Sequence, residues 1–205
     1  MKTYHALRRV VTVGGAVALV CALTTPPALA SRSAHHTLEF RPVLAALPRG
    51  PSRAATAAEA TAIASCDVRQ LQALAAVPVS ATPLPRDACG VLPFAPHGGN
   101  GALYVGPARI TGADVRSAGR DHAPGLGWVV DLRLKKSGMA TFNRMATDLF
   151  GKDSPGDQVA LVVDGKVVSN PAFQSSSFSG PIEISGSFTG KDAAALAKAI
   201  NQARR

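Results

Sequence analysis

The scarcities of this sequence narrow its function first. Three cysteines in 205 residues are too few for a disulfide-rich scaffold. Aromatic residues make up 5% of the chain, with a single Trp, and none is interleaved with a basic run. The stacking platform of a nucleic-acid binder is therefore missing, and nucleic acid is not an expected partner. No apolar stretch beyond residue 23 approaches the roughly 20 residues that cross a bilayer. The nucleophile signature G-x-S-x-G does not occur, so His97-Gly98-Gly99-Asn100-Gly101 reads as a flexible lead-in to a strand rather than an oxyanion loop. No Cys or His stands at metal-ligand spacing, so neither a metal nor a cofactor is expected. Acids are also scarce, 13 against 22 Lys and Arg, for a net charge of +9. Lys2, Arg8 and Arg9 account for three of those nine charges. The remaining +6 is scattered, which suits a solvated surface and loose association with anionic surfaces such as a membrane.

The front of the chain is the exception to this lack of apolar runs. A short positive segment is followed by apolar residues 10–23 and then by Ala28-Leu29-Ala30, an A-x-A cleavage pattern just before Ser31. Residues 1–30 read as an export signal removed at that point. An uncleaved membrane anchor is the alternative. Lipid attachment at Cys21 is a weaker one, because Val20 stands where a small residue is needed. Export places the mature chain in an oxidising compartment, and the loss of Cys21 leaves Cys66 and Cys89. That even pair reads as one disulfide, with two free thiols as the alternative. It would enclose the 22 residues between them, a constraint worth roughly 3 kcal/mol in the chain-entropy model.

Residues 31–99 read as an extended region with little regular structure. Residues 38–44 suit a short strand, which Pro42 would confine to a sheet edge. Residues 45–55 have the Pro, Gly, Arg and Ala content of a linker. An Ala-rich helix over 54–64 has little to bury. Pro78, Pro83 and Pro85 exclude a long regular element between the two cysteines.

Residues 100–205 form the folded unit. Strands are expected at 102–105 and 108–110, followed by a polar loop over 119–125. Along 128–134, Trp128, Val130, Leu132 and Leu134 alternate with Val129, Asp131 and Arg133, the pattern of a sheet with one packed face. Ser137 is placed to cap a helix whose stripe is Phe142, Met145, Ala146 and Leu149, with Gly151 as its stop. Val159 to Val163 read as a central strand, and Asp164-Gly165 as the turn of a hairpin returning through residues 166–169. A last strand carries Ile182, Ile184 and Phe188. Thr189 and Asp192 make a capping box for a final helix over 193–203 that buries Ala194, Leu196, Ala197 and Ile200. The fold class expected is α+β: a mostly antiparallel sheet with two helices packed on one face, a ferredoxin-like or related two-layer sandwich.

Several of these stretches together resemble a known family. They are Tyr104-Val105-Gly106-Pro107-Ala108, Thr111-Gly112-Ala113-Asp114-Val115, Trp128-Val129-Val130, the run from Ala160 through Asp164-Gly165 to Asn170-Pro171, and Ile184-Ser185-Gly186-Ser187-Phe188-Thr189. With Leu38-Glu39-Phe40-Arg41-Pro42-Val43 upstream, the pattern over residues 36–205 is similar to the head subdomain of the first extracytoplasmic domain of SecD, a subunit of the export motor SecDF. SecD continues into a membrane bundle that senses the proton gradient, and this sequence ends at Arg205. The resemblance therefore implies a head-type module outside the membrane, without motor activity, able to touch extended polypeptide.

The candidate contacts for such a polypeptide are Phe173, Ser175 and Phe178, with packing of both aromatics into the core as the alternative. A sheet edge would supply the main-chain bonds. Nothing in the sequence nominates a base for Ser175 to Ser177, and no spacing forces two of the acids together, so a non-catalytic protein is expected. An envelope accessory protein that contacts another envelope protein is the second possibility, and a small secreted hydrolase the third.

Overall fold

The computed structural model describes residues 36–51, 53–74, 76–80, 83–94 and 101–204. The export signal, Cys21 and most of the His97–Gly101 turn lie outside them. The strands are β1 (Leu38–Pro48), β2 (Gly90–Phe94), β3 (Gly101–Val105), β4 (Ile110–Thr111), β5 (Val115–Ala123), β6 (Gly127–Leu134), β7 (Val159–Val163), β8 (Lys166–Ser169) and β9 (Ile182–Phe188). The helices are α1 (Ala57–Ala64), α2 (Val68–Gln72), α3 (Lys136–Leu149) and α4 (Gly190–Ala203). The fold is α+β and its strand pairs are antiparallel, as the patterning predicts. The strands divide, however, into two sheets. One runs β2-β3-β1-β7-β8 with β4 attached to β1, and the other runs β5-β6-β9.

The larger sheet curls until its end strands β2 and β8 touch. Inside the curl, Val43, Leu92, Leu103, Val105, Ala160, Val162 and Val167 form one core. Outside it, Ala102, Tyr104 and Val91 pack under α1 and α2 with Ile63 and Leu71. The main core fills the space between the two sheets and the helices α3 and α4. It takes Leu38 and Phe40 from β1, Leu161 from β7, Leu132 from β6 and Ile184 from β9. Strand β7 is buried along its whole length because one of its faces looks into the curl and the other into the main core.

Several expectations give way to longer-range pairing. The segment 38–44 is no edge strand. It belongs to β1, which extends through residues 45–48 of the expected linker and sits between β3 and β7. Pro42 is tolerated there for a specific reason. Its carbonyl accepts from the Gly106 amide at 2.9 Å, and the Phe40 carbonyl accepts from Arg109 at 2.9 Å. The Pro42 nitrogen therefore faces the Gly106-Pro107 turn between β3 and β4, where the Gly106 carbonyl already accepts from the Arg41 guanidinium at 3.1 Å. The expected loop 119–125 is mostly strand, since β5 pairs with β6 from Val115 to Ala123. As an outer strand it is largely exposed and shows no alternation. Ser137 lies inside α3, whose N-cap is Lys135 without a side-chain bond. In α4 it is Ala193 that is buried, while Ala194 is half-buried.

Other signals act as expected. The α3 stripe Phe142, Met145, Ala146 and Leu149 is buried, and Gly151 follows with φ +79°. Asp164 and Gly165 take positive φ, +50° and +74°, the mirror-image turn that matches strand twist. Thr189 and Asp192 form their capping box. The Ala-rich helix α1 is anchored more firmly than its composition suggests. Thr56 and Glu59 make a capping box, and the Arg53 guanidinium grips Glu59 with two bonds at 2.7 and 2.5 Å.

Candidate functional site

Strand β9 has a ladder partner on one side only. Ile182 and Ile184 lie opposite Leu132 and Val130 of β6. The Ser185 carbonyl points the other way and accepts the Ser169 hydroxyl at 3.2 Å. Backbone groups alternate between the two sides of a strand. The peptide groups of Glu183 and the amide of Ser185 therefore face outward too. They face a cavity of about 600 Å³, closed on its far side by residues 169–174. That far wall is fixed to the start of β7. The Val159 amide donates to the Pro171 carbonyl at 3.0 Å, the Phe173 amide to Asp157 at 2.9 Å, and the Asn170 side chain to Gln158 at 2.8 Å.

Phe142, Phe173 and Phe178 supply the aromatic part of the wall. Their ring centroids lie 5.2 to 5.9 Å apart in tilted and edge-on pairs, the spacing that ring quadrupoles favour. Phe173 is buried in the main core, and Phe178 is half-buried against it. Asn143 of α3 fixes the Phe178 backbone from both sides. It accepts the Phe178 amide at 2.9 Å and donates to its carbonyl at 3.0 Å. Ser175, by contrast, is engaged within its own turn, donating to the Ser177 carbonyl at 2.9 Å and accepting the Ser177 amide at 3.3 Å. At the rim stands Leu126, 56% exposed.

A family model for the SecDF P1 head subdomain matches residues 91–203. The chain belongs to the SecDF P1 head family. Among curated proteins it is similar to the protein translocase subunit SecD of Streptomyces coelicolor, at 31% identity over 99 residues. That match covers 47% of the chain and 17% of the SecD relative, so the chain spans a small part of that protein. Two solved SecDF structures also align over 82% of the chain. One is the super-membrane-facing form, at 21% identity and a TM-score of 0.48, covering 19% of that chain. The other is a membrane component SecDF described as enhancing protein export, at 19% identity and a TM-score of 0.46, covering 63% of that chain. Among the described residues no helix is long and apolar enough to cross a membrane.

The matched head region begins at Val91, yet β1 from upstream of it lies in the middle of the larger sheet. Two devices hold the segment upstream of Val91 in place, and the second also reaches the matched head at Gly106. Cys66 and Cys89 form the disulfide, with Cα atoms 5.5 Å apart. Arg41, fully buried, donates to four carbonyls: Ala88 at 2.8 Å, Gly106 at 3.1 Å, Leu84 at 3.3 Å and Pro85 at 2.8 Å. Its Nε–H reaches Glu39 at 2.8 Å. A guanidinium with its donors spread in a fixed fork suits such a convergence of carbonyls. At the start of β1, Asp164 accepts the Thr37 amide at 2.8 Å and contacts His36 at 2.7 Å. Burial acts to raise the Asp164 carboxyl, but the bonds from His36 and Thr37 and the nearby Lys166 charge outweigh it. The carboxyl is held below its ordinary value.

Sequence reasoning brought Phe173 and Phe178 to one place but missed the residues that define the open edge. Asn201 is one of them. It projects from α4 to the outer edge of β5, where its carboxamide accepts the Ala118 amide at 3.1 Å and donates to the Ala118 carbonyl at 2.7 Å. Arg204 donates to the Arg116 carbonyl on the same edge. The edge of β5 is thus occupied by side chains, and the edge of β9 is left to the slot. The opposition of Asp131 and Glu183 was not legible in the spacing either, because only the β6–β9 register sets them directly across from each other.

Proposed function

We propose that this P1 head domain is an exported, extracytoplasmic and non-catalytic module of protein export, which takes an extended polypeptide segment as an added strand along β9. The observation that carries this reading is the outward-facing backbone of Glu183 and Ser185 above an aromatic-walled slot. Unpaired strand groups recruit a further strand by main-chain bonds, and a nearby apolar wall lets alternate side chains add contact area. The Ser169–Ser185 bond is the one latch across the slot among the described residues, and the incoming strand replaces it. The family membership supports the export setting. The fixed far wall supports a preformed site rather than one that has to be built on binding.

The test is a titration of the mature protein with short labelled peptides that alternate Val and Thr, followed by fluorescence anisotropy. Saturable binding is expected. Methylating the backbone nitrogens of alternate residues removes the donors that face β9. One of the two methylation phases should abolish binding and the other should spare most of it, because main-chain groups alternate in direction. Phe178→Ala should weaken binding about tenfold while the protein stays folded by circular dichroism. Equal tolerance of both methylation phases would show that no strand is added, and a peptide that binds only as the protein self-associates would assign the edge to a second copy of the chain.

A further inference from the structure

The slot has one charged lining residue among those described, Glu183. Its side chain is exposed and makes no hydrogen bond or ion pair with any described residue. Across the β6–β9 ladder its direct partner is Asp131, half-buried and likewise without a cation. Side chains at directly opposed positions are about 4.5 to 5.5 Å apart at Cβ, and like charges placed there repel. Arg133 lies two residues along β6 on the same face as Asp131, and it pairs with neither carboxylate. The protein thus holds two facing negative charges beside its open edge, in a chain whose net charge is +9.

From this geometry, and resting on the strand-addition reading above, we infer that the slot selects polypeptide segments in which a Lys or Arg stands between apolar residues. The register imposes that order. In a strand added along β9, the residue opposite Glu183 projects on the outer face, beside the carboxylates of Glu183 and Asp131. Its two neighbours project on the inner face, the side of Ile182 and Ile184, toward Phe173 and Phe178. A cation on the outer position relieves the repulsion between Glu183 and Asp131, and apolar neighbours cover the aromatic wall. An acidic residue in the same position would add a third negative charge to the two already there.

Three peptides that differ only in their central residue, Lys, Gln or Glu, test the inference by fluorescence anisotropy at low and at physiological salt. The Lys peptide is expected to bind up to about fivefold more tightly than the Gln peptide, the upper end for an exposed cross-strand charge pair. The Glu peptide is expected to bind more weakly than both. The differences should shrink as salt is raised, and Glu183→Gln should erase the gap between the Lys and Gln peptides. If all three bind alike, the charge selection is wrong and the strand-addition reading stands. If the Lys preference survives in Glu183→Gln, the cation is read elsewhere and the inference fails. If none of the three binds, strand addition itself falls, and the inference with it.

Discussion

The six-stranded sheet ends on β2 and β8, and its curl brings those two strands against each other. The three-stranded sheet ends on β5 and β9, which lie apart with β6 between them. In the first sheet both faces are covered, one by the interior of the curl and the other by helices and the main core. In the second, α4 covers one face and reaches round to cap β5 through Asn201, while β9 keeps its outward groups. Unpaired strand edges invite other chains, and proteins usually close or guard them. Here one sheet brings its two end strands into contact, and the other is guarded on one side only. The difference separates a sheet whose two end strands meet from one in which β9 has a ladder partner on one side only.

That contrast breaks most sharply at Arg41. Arg41→Met should lower stability by about 3 to 5 kcal/mol, because it strands Glu39 and four inward carbonyls while removing a buried partner. Urea unfolding with a constant slope would measure it. A loss below about 1 kcal/mol would mean that the loop before Cys89 does not depend on this residue. Reducing the Cys66–Cys89 disulfide comes next. The chain-entropy estimate for its loop is roughly 3 kcal/mol, read as a lower urea midpoint in reductant, with the peptide affinity of the β9 slot unchanged. A change in that affinity would couple the disulfide loop to the β9 edge.

Asn201→Ala should cost less, about 1 to 2 kcal/mol, since it leaves the Ala118 amide and carbonyl unpaired at an edge partly open to water. Its more telling readout is self-association by light scattering, because the variant uncovers a second strand edge. If it stays monomeric, Asn201 is not what guards β5. The smallest effect belongs to Glu59, whose carboxyl is held down at about 2 by the Arg53 guanidinium first and then by the Thr56 amide. Its folded value lies below the ordinary 4.5. Its contribution is therefore complete above that ordinary value and is lost as pH falls toward about 2. Protection of the α1 amides, taken relative to the intrinsic exchange rate at each pH, should fall through that window. In Arg53→Met the loosening should begin at higher pH, because the main cause of the depression is gone.

Local signals made much of the head legible. The stripe of α3, the Asp164-Gly165 turn and the Thr189 capping box each concern neighbours within a few residues, and each acts as its chemistry requires. The alternation in β6 holds from Val130 onward, while Val129 before it is buried and Trp128 half-buried. The misread segments share another property. Pro42 looked like an edge residue because its missing donor is a local fact, whereas the turn that makes the donor unnecessary comes more than sixty residues later, at Gly106-Pro107. Residues 119–125 looked like a loop because β5 is an outer strand with little to bury. At the slot, the aromatic pair was visible as two Phe flanking a serine turn. The open edge was not, because it depends on which strands are left without a neighbour.

The residues themselves determined the α+β class, the stop of α3 at Gly151, the capping box that starts α4, the hairpin and the pairing of Cys66 with Cys89, all of which follow from backbone preference, apolar periodicity and cysteine count. Only the tertiary structure decided that the strands form two sheets, that Arg41 gathers four distant carbonyls, and that Asn201 caps β5 while β9 stays open. The physical reason is register. A strand's sequence states which side chains share a face, but its hydrogen-bonding partners belong to other strands, and those are chosen by how the whole chain buries its apolar surface.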